Sequence, residues 1–290
     1  MGAFFFLNLL LILAQYKILS LIYMPKCVPK AVVFDLDETI GHFQQIFIFA
    51  LRLQTITRST LTAGAYHKLF DIFPKIFRPG LFQILTLLKK AKQKDKCLKV
   101  IIYTNNMGPR SWTLLIKRYL EKRVNYPLFD RIITAYRPGT KENCRTTHSK
   151  TLHDLLRCAK LPANTQIVFL DDQIHPSLRS PNVRYIHVNR YSLGIPFPVM
   201  VDKFLESQFG KAVVQNNPKG HFTAGMLNLI FKKLGGHYRP TRTSVNQADL
   251  RYKKLIENTI KRFVRKDGKS SRKKQKKKLK NKTLKKGTRR

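Results

Sequence analysis

The chain has 290 residues, of which 43% are hydrophobic, so it is long and apolar enough to bury one sizeable core. It carries 56 Lys and Arg residues against 16 Asp and Glu, and the formal net charge of +40 excludes the ordinary charge balance of a globular protein. This imbalance predicts attraction to polyanions such as nucleic acid, anionic membrane or acidic protein. The alternative is a basic surface that mainly aids solubility.

The amino-terminal segment, residues 1–23, is open to three interpretations. Residues 3–14 are almost wholly apolar, but Gln15 and Lys17 interrupt the run before it reaches the roughly 20 residues of a spanning helix. The segment is therefore either a membrane anchor or a mis-assigned extension, with Met24 as the natural start just before the first strand. A signal peptide ranks third, because it requires basic residues ahead of the apolar run and none are present.

Five short apolar runs are typical of strands that are buried on both faces of a parallel sheet. They lie at residues 31–35, 98–103, 131–135, 166–170 and 183–188. Helical patterns lie between these runs, at residues 81–92, 111–122 and 150–158. Strands that alternate with helices predict an α/β fold, a Rossmann-like parallel sheet with right-handed crossovers that is flanked by helices. Ligands of such sheets bind at the carboxyl ends of the strands.

Two further regions lie outside this alternation. The connection at residues 40–77 is too long for a simple loop and predicts a small helical insert after the first strand. This insert either covers the active site or packs as a satellite element. After about residue 203 the alternation stops, and residues 206–264 predict a helical C-terminal extension to a domain at residues 24–205.

The end of the chain combines one more helix with a basic tail. Ser244 and Gln247 fit a capping box that opens this helix, and its predicted buried face carries Tyr252, Leu255, Ile256 and Phe263. Residues 265–290 hold fifteen Lys and Arg and one Asp, so the tail cannot bury a core and is expected to be disordered. It is typical of a nuclear-import signal or a nucleic-acid-binding arm, with a solubility tail as the alternative.

The chain contains four cysteines, at positions 27, 97, 144 and 158. No two of them are spaced as CxxC, and no nearby pair of histidines completes a zinc pattern, which argues against a structural zinc site. We therefore expect reduced thiols of an intracellular protein.

Polar residues of a particular kind follow three of the predicted strands. They are Asp35-Leu36-Asp37-Glu38-Thr39, Thr104-Asn105-Asn106 and Asp171-Asp172-Gln173, and Lys150 precedes the helix that leads to the third. In a parallel sheet these positions converge at one edge. Carboxylates gathered there are unstable without a cation, and a hard cation with oxygen ligands, Mg²⁺, is the natural partner. A lysine and a strand-end hydroxyl then supply donors for a phosphoryl group.

This arrangement resembles the haloacid dehalogenase superfamily. The segment VVFDLDETIG matches its first motif, IIYTN its second, Lys150 in HSKTLHDLL its third, and the acidic pair in VFLDD its fourth. The four occur in order over residues 31–172. With Arg78-Pro79-Gly80, the chain looks like the branch of RNA polymerase II carboxy-terminal-domain phosphatases, also called NLI-interacting-factor-like, over residues 31–205. That branch lacks a large cap domain and acts on phosphoserine or phosphothreonine in proteins.

Three features depart from this branch. The second motif is TNN where the branch has TAS, the fourth is DDQ where it often has DNS, and the insert is more helical than the usual hairpin. These departures weaken the expected choice of substrate more than the expected phosphatase chemistry.

The resemblance implies a role for each site residue. Asp35 attacks phosphorus and forms an aspartyl-phosphate, while Asp37 protonates the leaving oxygen and then activates water. Lys150 offsets charge in the transition state and keeps Asp35 ionised. Thr104 donates to a phosphoryl oxygen, and Thr39 orients the loop.

The remaining expectations concern the metal and the substrate. Asp35, the backbone carbonyl of Asp37, and Asp171 or Asp172 are expected to hold Mg²⁺. Asn105 and Arg137 are expected to bind substrate. Three further residues have weaker expected roles: Lys141 is the rival to Lys150, and His153 and His175 are expected to pack or to face solvent.

Three functions compete. The first is a protein Ser/Thr phosphatase, intracellular and nuclear or associated with nucleic acid. The second is a phosphatase that acts on nucleic-acid ends, because the same chemistry serves that substrate and the basic tail favours polyanions. The third is a non-enzymatic binding or tethering protein on a phosphatase scaffold, with residues 1–23 as a possible membrane anchor.

Overall fold

The computed structural model describes residues 27–139, 144–215, 219–234 and 242–265. Its centre is a sheet of five parallel strands in the order β3-β2-β1-β4-β5. The strands are β1 (Lys30–Phe34), β2 (Leu98–Tyr103), β3 (Arg131–Ile133), β4 (Gln166–Asp171) and β5 (Val183–His187). This sheet, flanked by helices, confirms the predicted α/β fold.

Nine α-helices lie within the described residues. They are α1 (Gln44–Thr57), α2 (Ala63–Ile72), α3 (Leu81–Lys94), α4 (Arg110–Val124), α5 (Leu152–Ala159), α6 (Phe197–Glu206), α7 (Gln208–Val213), α8 (Lys219–Leu234) and α9 (Gln247–Arg265). Short 3₁₀ helices lie at Pro74–Ile76 and Pro176–Leu178.

The strands separate two hydrophobic cores. In β1, Val32 and Phe34 point into the larger core, while Ala31 and Val33 point into the smaller one, and all four are at most 2% exposed. Successive side chains of a strand point to opposite faces, so a strand covered on both faces must be apolar throughout. For this reason, the continuous apolar runs in the sequence correctly predicted the central strands.

The edge strand β3 is shorter than predicted. It pairs with β2 over three residues, from Ile101–Arg131 to Tyr103–Ile133, and ends before Thr134 and Ala135. The strand has a neighbour on one side only, so pairing ends where its single partner ends. The prediction of a strand over 131–135 was therefore wrong at its carboxyl end.

Residues 40–77 form the predicted helical insert, which consists of α1, α2 and a 3₁₀ turn. Helix α1 buries Ile46, Phe49, Ala50 and Leu53, which recur at helical spacing along one face. Phe49 meets Phe204 of α6 edge to face, with ring centroids 5.6 Å apart. The insert therefore belongs to the main hydrophobic core.

The C-terminal helices join the same core. Helix α8 contributes Phe222, Met226 and Ile230, and helix α9 contributes Ile256 and Ile260. Helix α8 packs on α1 and α6, while α9 packs on α3. On α9, Tyr252 and Phe263 pack against the core as predicted, but Leu255 is 46% exposed because it points away from the face that carries Ile256 and Ile260.

The predicted capping box of α9 is displaced by two residues. The amide of Asp249 donates to Asn246 Oδ1, and the amide of Asn246 donates to Asp249 Oδ2, both at 3.0 Å. Asp249 also pairs with Arg242, which holds its carboxylate beside the helix start. The box is therefore Asn246 with Asp249, and the prediction of Ser244 with Gln247 was wrong.

Asn246→Ala is expected to lower the free energy of unfolding by about 1 kcal/mol, because the first turn of α9 loses its side-chain acceptor. Chemical denaturation measures this change. Ser244→Ala is the matched control and is expected to leave the unfolding midpoint in place. A larger effect of Ser244→Ala than of Asn246→Ala would contradict the box of Asn246 with Asp249 and favour that of Ser244 with Gln247.

The cysteines are paired, which contradicts the expectation of reduced thiols. Cys27 is bonded to Cys97, and Cys144 is bonded to Cys158. Residues ahead of neighbouring parallel strands meet at the amino edge of the sheet, and Lys30 of β1 is opposite Leu98 of β2. Cys27 and Cys97 therefore lie side by side although 70 residues separate them. The cysteines therefore give no support to the expected intracellular location, which depended on reduced thiols.

Several expectations lie outside the described residues. They concern the segment 1–23, the basic tail after Arg265, and Lys141 as a rival to Lys150. Within the part of the chain that the structure describes, no helix is both long and apolar enough to cross a membrane.

Candidate active site

A cleft of about 170 Å³ opens at the carboxyl edge of the sheet, where β1, β2 and β4 end. It is lined by Asp35, Asp37, Glu38, Thr104, Asn105, Asn106, Lys150, Asp171, Asp172 and Gln173. The structure thus brings together the polar strand ends that the sequence singles out. Among the predicted site residues, Thr39 lies behind the cleft wall and Arg137 lies beside the cleft.

Lys150 joins two carboxylates at the floor of the cleft. Its Nζ lies 2.5 Å from Asp35 Oδ1 and 2.6 Å from Asp171 Oδ2, and the lysine is only 2% exposed. It lies just ahead of α5, whose N-cap Thr151 accepts a hydrogen bond from the amide of Asp154. The helix start therefore fixes the backbone that carries the lysine.

The two carboxylates have opposite pKa shifts. Burial raises the pKa of Asp35 to about 7, and the nearby charge of Asp171 adds to this, while Lys150 opposes it. Burial also acts to raise the pKa of Asp171, but the contact with His175 and the hydrogen bonds from Lys150 and the amide of Gln173 outweigh burial and lower it. Asp171 is therefore the ionised partner, and Asp35 is the one that protonates near neutral pH. The expectation that Lys150 by itself keeps Asp35 ionised was wrong, because burial outweighs the charge of the lysine.

The histidines differ from each other. His153 is exposed, as expected. His175 is not a remote packing residue, because its Nε2 lies 3.4 Å from Asp171 Oδ2. It was missed as a neighbour of the site because a turn after β4, rather than a fixed spacing, brings it back to Asp171.

Asp172 is held by Thr39. The hydroxyl of Thr39 donates to Asp172 Oδ1 at 3.0 Å and accepts from the amide of Asp172 at 2.9 Å. Burial raises the pKa of Asp172, and the bond from Thr39 opposes this rise. Thr39 therefore links the loop after β1 to the acidic pair after β4.

Asp37 is oriented separately from Asp35. Asn106 Nδ2 donates to Asp37 Oδ2 at 2.7 Å, while Asn106 Oδ1 accepts from the amide of Gly108 at 2.7 Å. The second bond fixes which end of the amide faces the carboxylate. Burial raises the pKa of Asp37, and the bond from Asn106 partly offsets this. A carboxyl that retains its proton to higher pH suits a general acid.

If Asp37 is the general acid of the phosphatase reaction that the sequence predicts, Asn106→Ala is expected to move the alkaline limb of the kcat/KM profile for phosphate release to higher pH. The amide favours the ionised form of Asp37, so its loss raises the pKa of Asp37 further and the acid retains its proton longer. We expect the maximal rate to fall less than about tenfold. Asn105→Ala removes a neighbouring amide that does not contact Asp37 and should leave the limb in place. An alkaline limb that moves to lower pH would contradict the assignment of Asp37 as the general acid.

Arg78, which the sequence marks only as part of a motif, supports the loop after β1. It is 4% exposed and donates to the backbone carbonyls of Glu38, Thr39 and Asn189. Burial lowers its pKa to about 10. Glu38 has a positive φ of 57°, so the loop needs such external support to hold its turn. Arg78 is therefore a positioning residue.

Arg145 was missed altogether. It is buried, it lies over the ring of Tyr103, and it donates to Asn105 Oδ1 at 2.7 Å and to the carbonyls of Thr134 and His148. Asn105, expected to bind substrate, is thus held in place at the cleft. Only the position of Arg145 five residues before Lys150 could have marked it among 56 basic residues.

Two further predicted residues have local partners. Thr104 is buried, and its hydroxyl accepts from the amide of Asn106 at 3.0 Å, which leaves the hydroxyl proton available for a ligand. Arg137 donates to the carbonyls of Met107 and Gly108. It supports the loop after β2 and is not among the described residues that line the cleft, so its role in substrate binding stays a prediction.

Three carboxylates could hold a cation. Oxygens of Asp35, Asp171 and Asp172 lie within 4.8 Å of one another. The donor set is all oxygen, and the raised pKa of Asp35 shows that its negative charge is costly here without a further cation. Both observations fit a hard divalent ion such as Mg²⁺. The cluster does not include the Asp37 carboxylate, which Asn106 binds.

Comparisons with known proteins do not assign this chain to a family. No family model matches it, and no curated protein or solved structure is significantly similar to it. The geometry of the cleft is therefore the observation on which function rests.

Proposed function

We propose that the chain is a Mg²⁺-dependent phosphomonoester hydrolase of the haloacid dehalogenase type, which works through an aspartyl-phosphate on Asp35. The observation that carries this proposal is the pairing of Asp35 with Lys150 at 2.5 Å, beside Asp171 and Asp172, with Asp37 held apart by Asn106. Asp35 would attack as the carboxylate, with Lys150 and a bound cation offsetting the burial that otherwise raises its pKa to about 7, while burial raises the pKa of Asp37 and suits it to give a proton.

Two steps follow from these positions. In the first, an Asp35 oxygen bonds to phosphorus, the bond from phosphorus to the leaving oxygen breaks, and Asp37 gives that oxygen its proton. In the second, water gives a proton to Asp37 and bonds to phosphorus, the bond to Asp35 breaks, and phosphate leaves. Lys150 and the Thr104 hydroxyl donate to phosphoryl oxygens.

Mg²⁺ would be held by Asp35, by Asp171 or Asp172, and by the backbone carbonyl of Asp37. When bound, it supplies positive charge that offsets the charge of the phosphoryl group. The side chains of the protein orient the reacting groups. Thr39 and Arg78 maintain the loop after β1, so that Asp35 and Asp37 keep their separate orientations.

For the substrate, the motif resemblance favours a phosphorylated protein side chain, with phosphoserine or phosphothreonine as the type the branch prefers. The net charge of +40 favours a second candidate, a phosphorylated nucleic-acid end in a nuclear or nucleic-acid-associated setting. The two are separated by comparing phosphopeptides with 3′-phosphorylated oligonucleotides. A purely non-enzymatic scaffold is disfavoured, because the chain retains all the motif residues that the reaction uses, namely Asp35, Asp37, Thr104 and Lys150.

The test of the reaction is release of phosphate from p-nitrophenyl phosphate by the full chain, in Mg²⁺ and in EDTA. We expect the native chain to release phosphate in Mg²⁺ but not in EDTA. Asp35→Asn should release none in either condition. Asp202→Asn, a matched change at an exposed residue of α6, should release as much phosphate as the native chain. No release by the native chain, or equal release by Asp35→Asn, would overturn the proposal.

A further inference from the structure

A second pocket, of about 310 Å³, lies next to the cleft. It is lined by Asp37, Glu38, Gln44, Phe47, Asn106, Gly108, Pro109 and Trp112. Three of these residues, Asp37, Glu38 and Asn106, also line the cleft, so the two spaces are contiguous. Any group bound in the cleft can therefore extend into this pocket past Asp37.

The walls of this pocket are aromatic. Phe47 comes from α1 of the insert, and Trp112 comes from the first turn of α4. Their rings meet edge to face, with centroids 5.0 Å apart, and Pro109 adds a flat apolar surface. Apolar walls with a few polar groups at one end are typical of a site for a small ring.

The charge of the pocket is opposite to that of the chain. No lysine or arginine of the described residues lines it, although the chain carries 56 of them. Arg190 lies nearby, but its guanidinium contacts Glu38 at 2.8 Å and is not part of the lining. The charged side chains in the lining are the carboxylates Asp37 and Glu38. An occupant with a further phosphate would meet them, which disfavours nucleic acid and favours an uncharged group.

The position of Asp37 decides which part of a substrate lies here. Under the proposed function, Asp37 gives its proton to the leaving oxygen, so the leaving group is on the side of Asp37 away from Asp35. That side is the aromatic pocket. We propose that this pocket receives an aromatic leaving group, so that the substrate class is an aryl phosphate and, in proteins, phosphotyrosine.

This inference rests on the proposed function and revises its substrate. The leaving group of phosphoserine has one methylene next to the oxygen, which leaves most of a 310 Å³ pocket without contacts. A tyrosyl ring reaches Phe47, Pro109 and Trp112. Because even one methylene in an apolar pocket changes kcat/KM by about 10–200-fold, we expect at least a tenfold preference for phosphotyrosine.

The experiment uses two phosphopeptides that differ only in phosphotyrosine or phosphoserine, with the full chain in Mg²⁺. Gln44→Trp is the diagnostic variant, because Gln44 is an exposed lining residue at the start of α1, where a larger ring blocks the pocket without disturbing the core. Gln83→Trp, at an exposed position of α3, is the matched control.

We expect Gln44→Trp to lower kcat/KM for the phosphotyrosine peptide at least tenfold and for the phosphoserine peptide less than twofold, while Gln83→Trp changes neither. Equal kcat/KM for the two peptides in the native chain, or an equal loss for both in Gln44→Trp, would overturn the inference and leave the hydrolase intact. If neither peptide nor p-nitrophenyl phosphate is hydrolysed, the proposed function fails and the inference fails with it.

Discussion

Asp35→Asn is expected to abolish phosphate release and, without Mg²⁺, to stabilise the protein at neutral pH. The loss of release should reach at least about a thousandfold, because the amide cannot form the covalent intermediate. The gain in stability has a different cause: the substitution removes a buried charge for which Lys150 only partly compensates. A residue present for packing alone would not combine these two effects.

The stability effect of Asp35→Asn depends on pH. The pKa of Asp35 rises from 3.8 to about 7 on folding. Between these two values the folded chain retains a proton that the unfolded chain has lost, so raising the pH through this window destabilises the native protein. Asparagine does not titrate, so the stability difference in favour of the variant should be absent below pH 3.8 and complete above about pH 7.

Thermal melts in EDTA at a series of pH values measure this difference. We expect Asp35→Asn to melt at least about 3 °C above the native chain at pH 7.5, with the gap closing as the pH falls. Mg²⁺ should then raise the melting temperature of the native chain and have little effect on the variant, since ligands that bind only the folded state stabilise it. A gap that widens toward acid pH would contradict the raised pKa.

Lys150→Met is expected to reduce both activity and metal-free stability. The lysine is 2% exposed and its Nζ contacts both Asp35 and Asp171, so its removal leaves two buried carboxylates facing each other. Breaking a buried ion pair on one side costs about 3–5 kcal/mol. Loss of its charge from the phosphoryl site should lower kcat by about 100- to 1000-fold.

Chemical denaturation in EDTA and in Mg²⁺ tests this prediction, with Lys203→Met at an exposed position of α6 as the matched control. Mg²⁺ should restore much of the stability of Lys150→Met, because a cation among the carboxylates replaces the missing charge. The activity should remain low, because the donor to the phosphoryl group is still absent. An unchanged unfolding midpoint in EDTA would show that Lys150 does not hold the pair together.

The predictable part of the fold is the part that local sequence determines. Strands covered on both faces must be apolar throughout, and the position of their ends places Asp35, Thr104 and Asp171 at one edge. The predictions for the end of β3 and for the thiol of Cys27 were wrong because each depends on a partner far away in the chain. The cap at Asn246 was misplaced for a local reason, since its partner Asp249 lies three residues away and the predicted box was displaced by two residues.

The same reason explains the residues of the site that sequence analysis missed. Arg78 and Arg145 act through backbone carbonyls and an amide that lie far away in sequence, and nothing local distinguishes them from other basic residues. Asn106 is the instructive case. It lies where the chain departs from the motif of the family that it resembles, and it is the residue that binds Asp37.

Because the insert packs on helices that follow residue 196, the motif-bearing residues 31–172 do not form a self-sufficient folding unit. Helix α1, which supplies Phe47 to the aromatic pocket, lies against α8, and Gly225 approaches Ile56 so closely that a Cβ at Gly225 would lie 2.8 Å from Ile56 Cδ1. A chain cut after residue 205 would therefore lose the helix that supports the pocket wall, while it would keep all the carboxylates of the cleft. Under the proposed function, helix α8 would thus affect which leaving group fits, although none of its described residues lines the pocket.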